Sequence, residues 1–335
     1  MSKLFLGRLA AAVLTIGAMV GCQSSDPTSP NIEGSAEATG LAGGTRFQAG
    51  GGVFTMSNAA TGNEILRYRR NRNGSVVELA AVPTGGMGTG AGLGNQSGLI
   101  VSPDEDWMIA VNAGSNDISV MKVLGLSLTV TDVEPAGGAT PISVTMHDNL
   151  VYVLNAGDPG NVPGNIQGFE LSPDGDLTPI AGSAQALSAA DVGPAQIAFS
   201  ADGGVLIVTE KGTNNIVTYS VGSDGKASAP NVQASNGQTP FGFAVTATNH
   251  VLVSEAFGGA AGESAVSSYA LVGSNLSTVE ASLPTTQTAA CWVAVTPDGA
   301  YAYTANTGSS TVTGLSVGPG GEIALLDADG VTGET

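Results

Sequence analysis

The feature that most constrains the fold is a unit that recurs about every 45 to 50 residues. In each copy, an apolar segment is followed by a turn, a second apolar segment ending in Asn or Glu, a glycine-rich loop and further β-branched segments. Five copies show this order in their first halves, at residues 99–112, 142–155, 197–210, 243–255 and 293–306. A period of this length is typical of a repeat protein in which each copy is one supersecondary unit.

Tight turns separate the first two segments of a copy, at residues 102–104, 201–203 and 297–299. Proline presets φ and glycine accepts a positive φ, so the sequences Ser-Pro-Asp, Ala-Asp-Gly and Pro-Asp-Gly favour hairpins. Each copy is therefore predicted to be one antiparallel sheet of four strands. Because such a sheet cannot bury both of its faces alone, consecutive copies must pack on one another.

Radial packing leaves only short, protected sheet edges, and the sequence therefore predicts an all-β fold, a β-propeller of four-stranded antiparallel blades. The alternatives are a solenoid, which needs shorter parallel rungs, and a two-sheet sandwich, which does not predict the regular period. Residues 52–83 contain segments resembling the second, third and fourth strands of a blade without the first, and five complete units follow. We expect about six blades within residues 51–335, truncated before a last blade and the closing strand.

The N-terminal residues have the features of an export signal. Lys3 and Arg8 precede an apolar run at residues 9–20, which is shorter than the roughly 20 residues that span a bilayer. We therefore expect a cleaved signal peptide at residues 1–21. Residues 19–22, Met-Val-Gly-Cys, resemble a bacterial lipobox, which implies lipidation of Cys22; the alternative is an ordinary secretory signal with a chance cysteine.

The stretch that follows the cysteine, residues 22–50, is rich in Ser, Gly, Pro and Thr and has no apolar period, which predicts a flexible tether. The folded part, residues 51–335, is expected to stand off the membrane. The protein is thus predicted to be exported and lipid-anchored in the bacterial cell envelope, at the outer membrane facing the periplasm.

The charge balance limits the partners. The formal net charge is −18, and the loss of Lys3 and Arg8 with the signal peptide makes the mature chain more negative still. Nucleic acid is excluded as a partner, and contact with the membrane is expected only through the lipid anchor. One local exception is a group of four arginines around Tyr68, at positions 67, 69, 70 and 72, which indicates an exposed strand and turn or, alternatively, an anion site.

Two stretches carry a family resemblance, residues 296–306 (TPDGAYAYTAN) and 193–203 (GPAQIAFSADG). They resemble the seven-bladed lactonase-type propellers, which include bacterial 6-phosphogluconolactonase and fungal carboxymuconate lactonizing enzyme, and the resemblance covers residues 51–335. It implies seven blades and a lactone hydrolase. Active relatives are expected to carry a His, an Arg and a Glu at positions that read Ala195, Phe241 and Glu255 here, so only the acid is retained.

The strand ends define a candidate site. The start of the first strand and the end of the second lie at the same face of each blade, so these residues are expected to form a ring around one mouth of the channel. We predict Glu255 and Glu210 as catalytic carboxylates. The predicted ligand-binding residues of the same ring are Asn58, Asn112, Asn155, Gln196, Phe241, Trp292 and Asn306. The alternative is that the amides and acids cap strand ends and that the aromatic residues are wedges between blades.

Two functions remain open. One is a lactonase-like enzyme acting on a small sugar-acid lactone, with Glu255 as general acid or base. The other is a non-catalytic envelope propeller that binds a ligand or an envelope protein. No cofactor is predicted: His147 and His250 lie in turns at the opposite face, and no metal centre is expected apart from a structural calcium along residues 155–158 or in the channel as an alternative.

Overall fold

The computed structural model describes residues 51–334, which form six antiparallel β-sheets. The signal peptide, Cys22 and the tether predicted for residues 1–50 lie outside the described residues. The first sheet has three strands, β1 (Gly52–Met56), β2 (Glu64–Arg70) and β3 (Val76–Pro83). Every later sheet contains four strands in chain order, with a short fifth strand in two of them, which confirms the predicted blades.

The second and third sheets comprise β4 (Leu99–Val101), β5 (Trp107–Asn112), β6 (Asp117–Leu124), β7 (Ser127–Pro135), β8 (Pro141–His147), β9 (Leu150–Asn155), β10 (Asn165–Leu171), β11 (Leu177–Pro179) and β12 (Gln185–Ala186). The fourth and fifth comprise β13 (Pro194–Phe199), β14 (Val205–Glu210), β15 (Asn215–Ser220), β16 (Asn231–Ala234), β17 (Pro240–Val245), β18 (His250–Glu255), β19 (Ala265–Val272) and β20 (Asn275–Pro284). The sixth comprises β21 (Ala290–Val295), β22 (Tyr301–Asn306), β23 (Thr311–Val317), β24 (Ile323–Leu325) and β25 (Gly333–Glu334). The short strands β12 and β25 pair with β10 and β23.

Consecutive sheets pack face to face as the blades of a propeller, and the innermost strands β8, β13, β17 and β21 contact one another in turn. The hydrophobic cores lie between blades rather than within them. The core between the third and fourth blades, for example, joins Tyr152 and Leu154 to Phe199 and Tyr219. Burial of one such large side chain contributes about 1.5–3 kcal/mol. The stacking of repeats therefore supplies the apolar burial that no single sheet can achieve.

The first hairpin of the second, fourth and sixth blades follows the predicted pattern. Gly203 and Gly299 occupy their turns with φ of 72° and 71°, a region that strongly favours glycine. The side-chain hydroxyl of Ser102, Ser200 or Thr296 accepts a hydrogen bond from the backbone N–H five residues later. Each turn is thus closed by local polar contacts, and the strand bounds agree with those expected from the sequence.

Two sheet faces at the ends of the described chain have no blade against them. On the sixth blade, Trp292, Tyr301 and Tyr303 are exposed on the face opposite its core, and on the first blade Val53 and Val76 are exposed. Large exposed side chains on a sheet face are typical of a surface that contacts another element or a ligand. The exposure of these two faces agrees with the propeller packing that the sequence predicts.

Candidate functional site

The ends of the inner two strands meet at one face of every complete blade. The registers place Asn155 opposite Pro141, Glu210 opposite Pro194 and Glu255 opposite Pro240. The ring of strand-end side chains predicted from the sequence therefore forms at one mouth of the propeller, and His147 and His250 lie in hairpins at the opposite face.

The amides of this ring hold neighbouring strands together. The Nδ2 of Asn112 donates to Asp117 Oδ1 at 2.6 Å and to Ser119 Oγ at 2.7 Å, and its Oδ1 accepts from Thr84 and Asn63. In the sixth blade, the Nδ2 of Asn306 makes the same pair of bonds to Thr311 and Thr313. Asn155 donates to the carbonyl of Ala136, in the linker from the preceding blade. In these three blades, the amide at the end of the second strand therefore connects the third strand, or the linker from the preceding blade, to its own blade.

The two predicted catalytic carboxylates make the same kind of connection. Glu210 accepts hydrogen bonds from the backbone N–H and hydroxyl of Ser188 and from Thr213 Oγ1 at 2.7 Å. Glu255 accepts from Gly237 N at 2.8 Å, Ser267 Oγ at 2.5 Å and Ser282 Oγ at 2.6 Å. These donors fix the position of each carboxylate.

Burial divides the predicted site residues into two groups. Seven of the nine are buried: Glu210, Glu255, Asn112, Asn155, Asn306, Gln196 and Phe241. Both glutamates are 0% exposed, so a ligand at the mouth cannot touch them without displacing the protein around them. Trp292, at 39% exposure, and Asn58 are the two that reach solvent.

The segment between β3 and β4 crosses the centre of the ring. The Gln96 amide pairs with both backbone groups of Val293, accepting from its N–H at 3.0 Å and donating to its C=O at 2.9 Å. Its backbone N–H donates to the carbonyl of Ala195, and the neighbouring Asn95 accepts from Nε1 of Trp292 at 2.8 Å. The segment therefore links the fourth and sixth blades across the channel.

A similar amide clasp joins the fourth and fifth blades. Gln196 accepts from the backbone N–H of Phe243 at 2.7 Å and donates to its carbonyl at 3.0 Å. The aromatic residues nearby are wedges: Phe241 packs against Ala195, Ala256 and Ala289. The structure thus supports the wedge alternative for Phe241.

Lys211 is a cation that the sequence analysis missed. It follows Glu210 directly, its Nζ donates to the carbonyl of Gly94 in the crossing segment, and it lies 4.7 Å from the ring centroid of Phe241. Burial lowers the pKa of the Lys211 ammonium to about 8. A cation thus stands over Phe241, the position at which the family resemblance implies an arginine.

A cavity of about 900 Å³ opens beside the crossing segment. It lies along β1, which pairs only with β2 among the described residues. Two of the predicted site residues, Asn58 and Trp292, line the cavity. Its other polar lining includes Ser57, Asn95 and Gln96. None of the residues that line it is charged.

Residues 51–334 contain neither a group of three potential metal ligands nor a helix that could cross a membrane. No three His, Cys, Asp or Glu side chains in this part of the chain are grouped so that they could hold a metal ion. Over the same residues, no helix combines the length and apolar character needed to cross a membrane.

The fold is a β-propeller, and one part of the chain is similar to a known propeller family. Residues 162–257 match the family described as Lactonase, 7-bladed beta-propeller, which confirms the resemblance seen in the sequence. No curated protein matches the chain.

Solved structures support the fold at low sequence identity. A candidate 6-phosphogluconolactonase from Bacteroides uniformis is 15% identical, with a TM-score of 0.64 over 82% of this chain and 80% of that one. The periplasmic gluconolactonase PpgL of Pseudomonas aeruginosa is 15% identical, with a TM-score of 0.61 over 85% and 84%. A protein from Lactobacillus plantarum is 16% identical, with a TM-score of 0.66 over 86% and 84%.

Proposed function

We propose that this chain is a non-catalytic propeller of the cell envelope that binds a neutral sugar or sugar lactone in the cavity beside Trp292. The observation that carries the proposal is the difference in solvent exposure between the predicted catalytic residues and two of the predicted ligand-binding residues. The carboxylates that would perform catalysis are fully buried, whereas Trp292 and Asn58 remain accessible in one cavity.

The bonding of the two glutamates argues against a role in proton transfer. A general acid or base must come within about 3 Å of the proton it transfers. The oxygens of Glu255 are instead occupied by Gly237, Ser267 and Ser282, and those of Glu210 by Ser188 and Thr213. These bonds fit the alternative in which the acids brace strand ends.

The chemistry of the cavity selects the ligand class. Its polar lining consists of amide and hydroxyl groups, which suit the hydroxyls of a sugar, and the exposed indole of Trp292 offers a flat apolar face for a pyranose ring. Because no cation lines the cavity, a phosphorylated lactone or an ionised sugar acid would lose its water shell without a compensating charge. We therefore expect a neutral sugar or an unphosphorylated sugar lactone to bind.

The envelope location belongs to the same proposal. The apolar run at residues 9–20 and the lipobox-like sequence ending at Cys22 support export and lipidation, and the stretch at residues 22–50 would tether the propeller. Mass spectrometry of the mature protein, with a diacylglyceryl group expected on an N-terminal Cys22, tests this part.

Intrinsic fluorescence tests ligand binding, because the chain has two tryptophans and Trp107 is buried. Titration with glucono-1,5-lactone, glucose and 6-phosphogluconate should give a saturable change for the two neutral compounds that disappears in Trp292→Leu. Tyr303→Leu is the control, since Tyr303 is also exposed on the sixth blade but does not line the cavity. A failure of neutral sugars to bind, or tighter binding of the phosphorylated compound, would refute the proposal.

Lactone hydrolysis is the second candidate. It is favoured by the family match at residues 162–257, a stretch that contains Glu210, Lys211 and Glu255. Lys211 gives this candidate a cation near the mouth, although the hydrogen bond to Gly94 already engages its ammonium.

A further inference from the structure

The exposed arginines of the first blade form one edge at the face opposite the mouth. Arg69 and Arg70 end β2 and Arg72 lies in the following turn, and all three are exposed. Residues 67–78 contain four arginines and one glutamate, in a chain with a net charge of −18. Among the salt bridges of residues 51–334 none involves an arginine of this stretch. The edge is thus a local concentration of positive charge.

An apolar hairpin tip lies beside these arginines. Leu124, at the turn between β6 and β7, is 77% exposed, the largest exposure among the large apolar side chains of the described residues. The same hairpin contacts the first blade, because Arg67 Nη1 donates to the carbonyl of Leu126 at 2.5 Å. We name Arg69, Arg70, Arg72 and Leu124 the arginine edge.

The chain enters the propeller at this edge. The backbone N–H of Arg70 donates to the carbonyl of Gly51 at 3.1 Å, and Gly52 pairs with Arg69. Gly51, the first described residue, therefore lies directly beside the arginines. Any anchor at Cys22 would be connected to the propeller at this point.

Hairpins of the same face in four other blades contain carboxylates. Asp104, Asp148, Asp202, Asp224 and Asp298 lie in turns of blades two, three, four and six. An anionic surface would repel these turns and attract the arginine edge. Only one sector of the face is therefore complementary to negative charge.

We propose that the arginine edge docks on anionic lipid headgroups, with Leu124 inserted between them. Juxtamembrane Arg and Lys residues near an anionic bilayer favour contact, and an exposed leucine adds an apolar anchor. The inference uses the proposed envelope location only to place a membrane within reach; the charge pattern stands without it. The docked propeller presents its mouth and the cavity beside Trp292 away from the membrane.

Vesicle co-sedimentation tests this contact. The protein is the mature chain from residue 22 with Cys22→Ser, which keeps the tether and has no acyl group. Wild type should bind vesicles containing phosphatidylglycerol at low salt, release them as ionic strength rises, and leave pure phosphatidylcholine vesicles free. Replacing all three arginines by glutamine should weaken binding about 100-fold, since each contributes roughly a factor of 5.

Lys226→Gln is the matched control, because Lys226 lies in an exposed turn of the same face on the fourth blade. It should leave vesicle binding unchanged, and Leu124→Ser should weaken binding without altering its salt dependence. Circular dichroism verifies that each variant is folded. The proposal is overturned if the triple variant binds vesicles as tightly as wild type does, or if wild type does not bind vesicles that contain phosphatidylglycerol. Sugar binding at Trp292 is measured separately, so either proposal can fail alone.

Discussion

The backbone N–H of Gly237 donates a 2.8 Å hydrogen bond to Oε1 of Glu255, and a Cβ on Gly237 would lie 2.1 Å from Oε2 of the same carboxylate. The linker between the fourth and fifth blades is therefore in direct contact with the acid at the end of β18. Ser267 and Ser282 complete the contacts of the carboxylate from the next two strands. One buried side chain thus connects three segments of the chain.

The first prediction follows from this close approach. Gly237→Ala should lower the free energy of unfolding by about 2–3 kcal/mol, because the new methyl group must displace a carboxylate that is buried on all sides. Urea unfolding followed by circular dichroism measures the effect. Gly204→Ala is the control, since a Cβ there meets nothing closer than 3.5 Å; equal stability of the two variants would contradict the prediction.

The second prediction concerns the clasp between blades four and five. Gln196→Leu preserves volume but removes one hydrogen bond from each backbone group of Phe243, whose carbonyl keeps only the longer bond from Gln96. Leaving these buried groups with fewer hydrogen bonds should cost about 3 kcal/mol. The exposed Gln238→Leu should be close to neutral in the same unfolding experiment, and a cost below about 1 kcal/mol for Gln196→Leu would show that the clasp is dispensable.

The third prediction is a pH dependence of stability. The pKa of the Lys211 ammonium falls from 10.5 to about 8 in the folded chain. Between these values the unfolded chain holds a proton that the folded chain has released, so the free energy of unfolding must rise with pH. Below pH 8 the Lys211 ammonium is charged in both the folded and the unfolded chain, so the free-energy cost of burying its charge is fully present.

Wild type should therefore gain about 2 kcal/mol between pH 7 and pH 9.5 relative to Lys211→Met. The subtraction cancels the contribution of other titrating groups, such as Tyr152, whose pKa burial raises to about 12. Lys226→Met, at an exposed position, should follow the wild-type curve. Parallel curves for wild type and Lys211→Met would contradict the burial of a charged amine.

Much of the fold could be predicted from the sequence, because hairpin turns and strand lengths are local signals. The Pro-Asp-Gly turn at residues 297–299 and the β-branched runs on either side specify a hairpin whatever surrounds them. The ring of strand ends then followed from antiparallel pairing alone. The three-stranded first sheet was recognised for the same reason, since residues 52–83 contain three such segments.

The bonding of the site residues was harder to predict. The donors to Glu255 come from Gly237, Ser267 and Ser282, whose positions in the sequence carry no common spacing. One local signal existed: Asn112 and Asn306 are each followed seven residues later by a hydroxyl, Ser119 or Thr313, with which they bond. That spacing favours a structural amide.

The central crossing could not be predicted because it depends on contacts distant in sequence. Gln96 reaches Val293 across 197 positions, in a segment whose glycines indicate only a loop. Lys211 was missed because it lies one residue beyond the strand end, Glu210, that the repeat pattern identifies. The direction of its side chain depends on Gly94 in the crossing segment. Side-chain orientation at a propeller mouth is set by packing between blades.

The most direct test of the account is the rate of glucono-1,5-lactone hydrolysis by the purified mature protein, compared with Glu255→Gln and with Glu263→Gln, whose side chain is exposed. All three proteins should hydrolyse the lactone no faster than buffer. Glu255→Gln alone should unfold at a lower urea concentration than wild type. Saturable hydrolysis by wild type that persists in Glu263→Gln and disappears in folded Glu255→Gln would contradict the account.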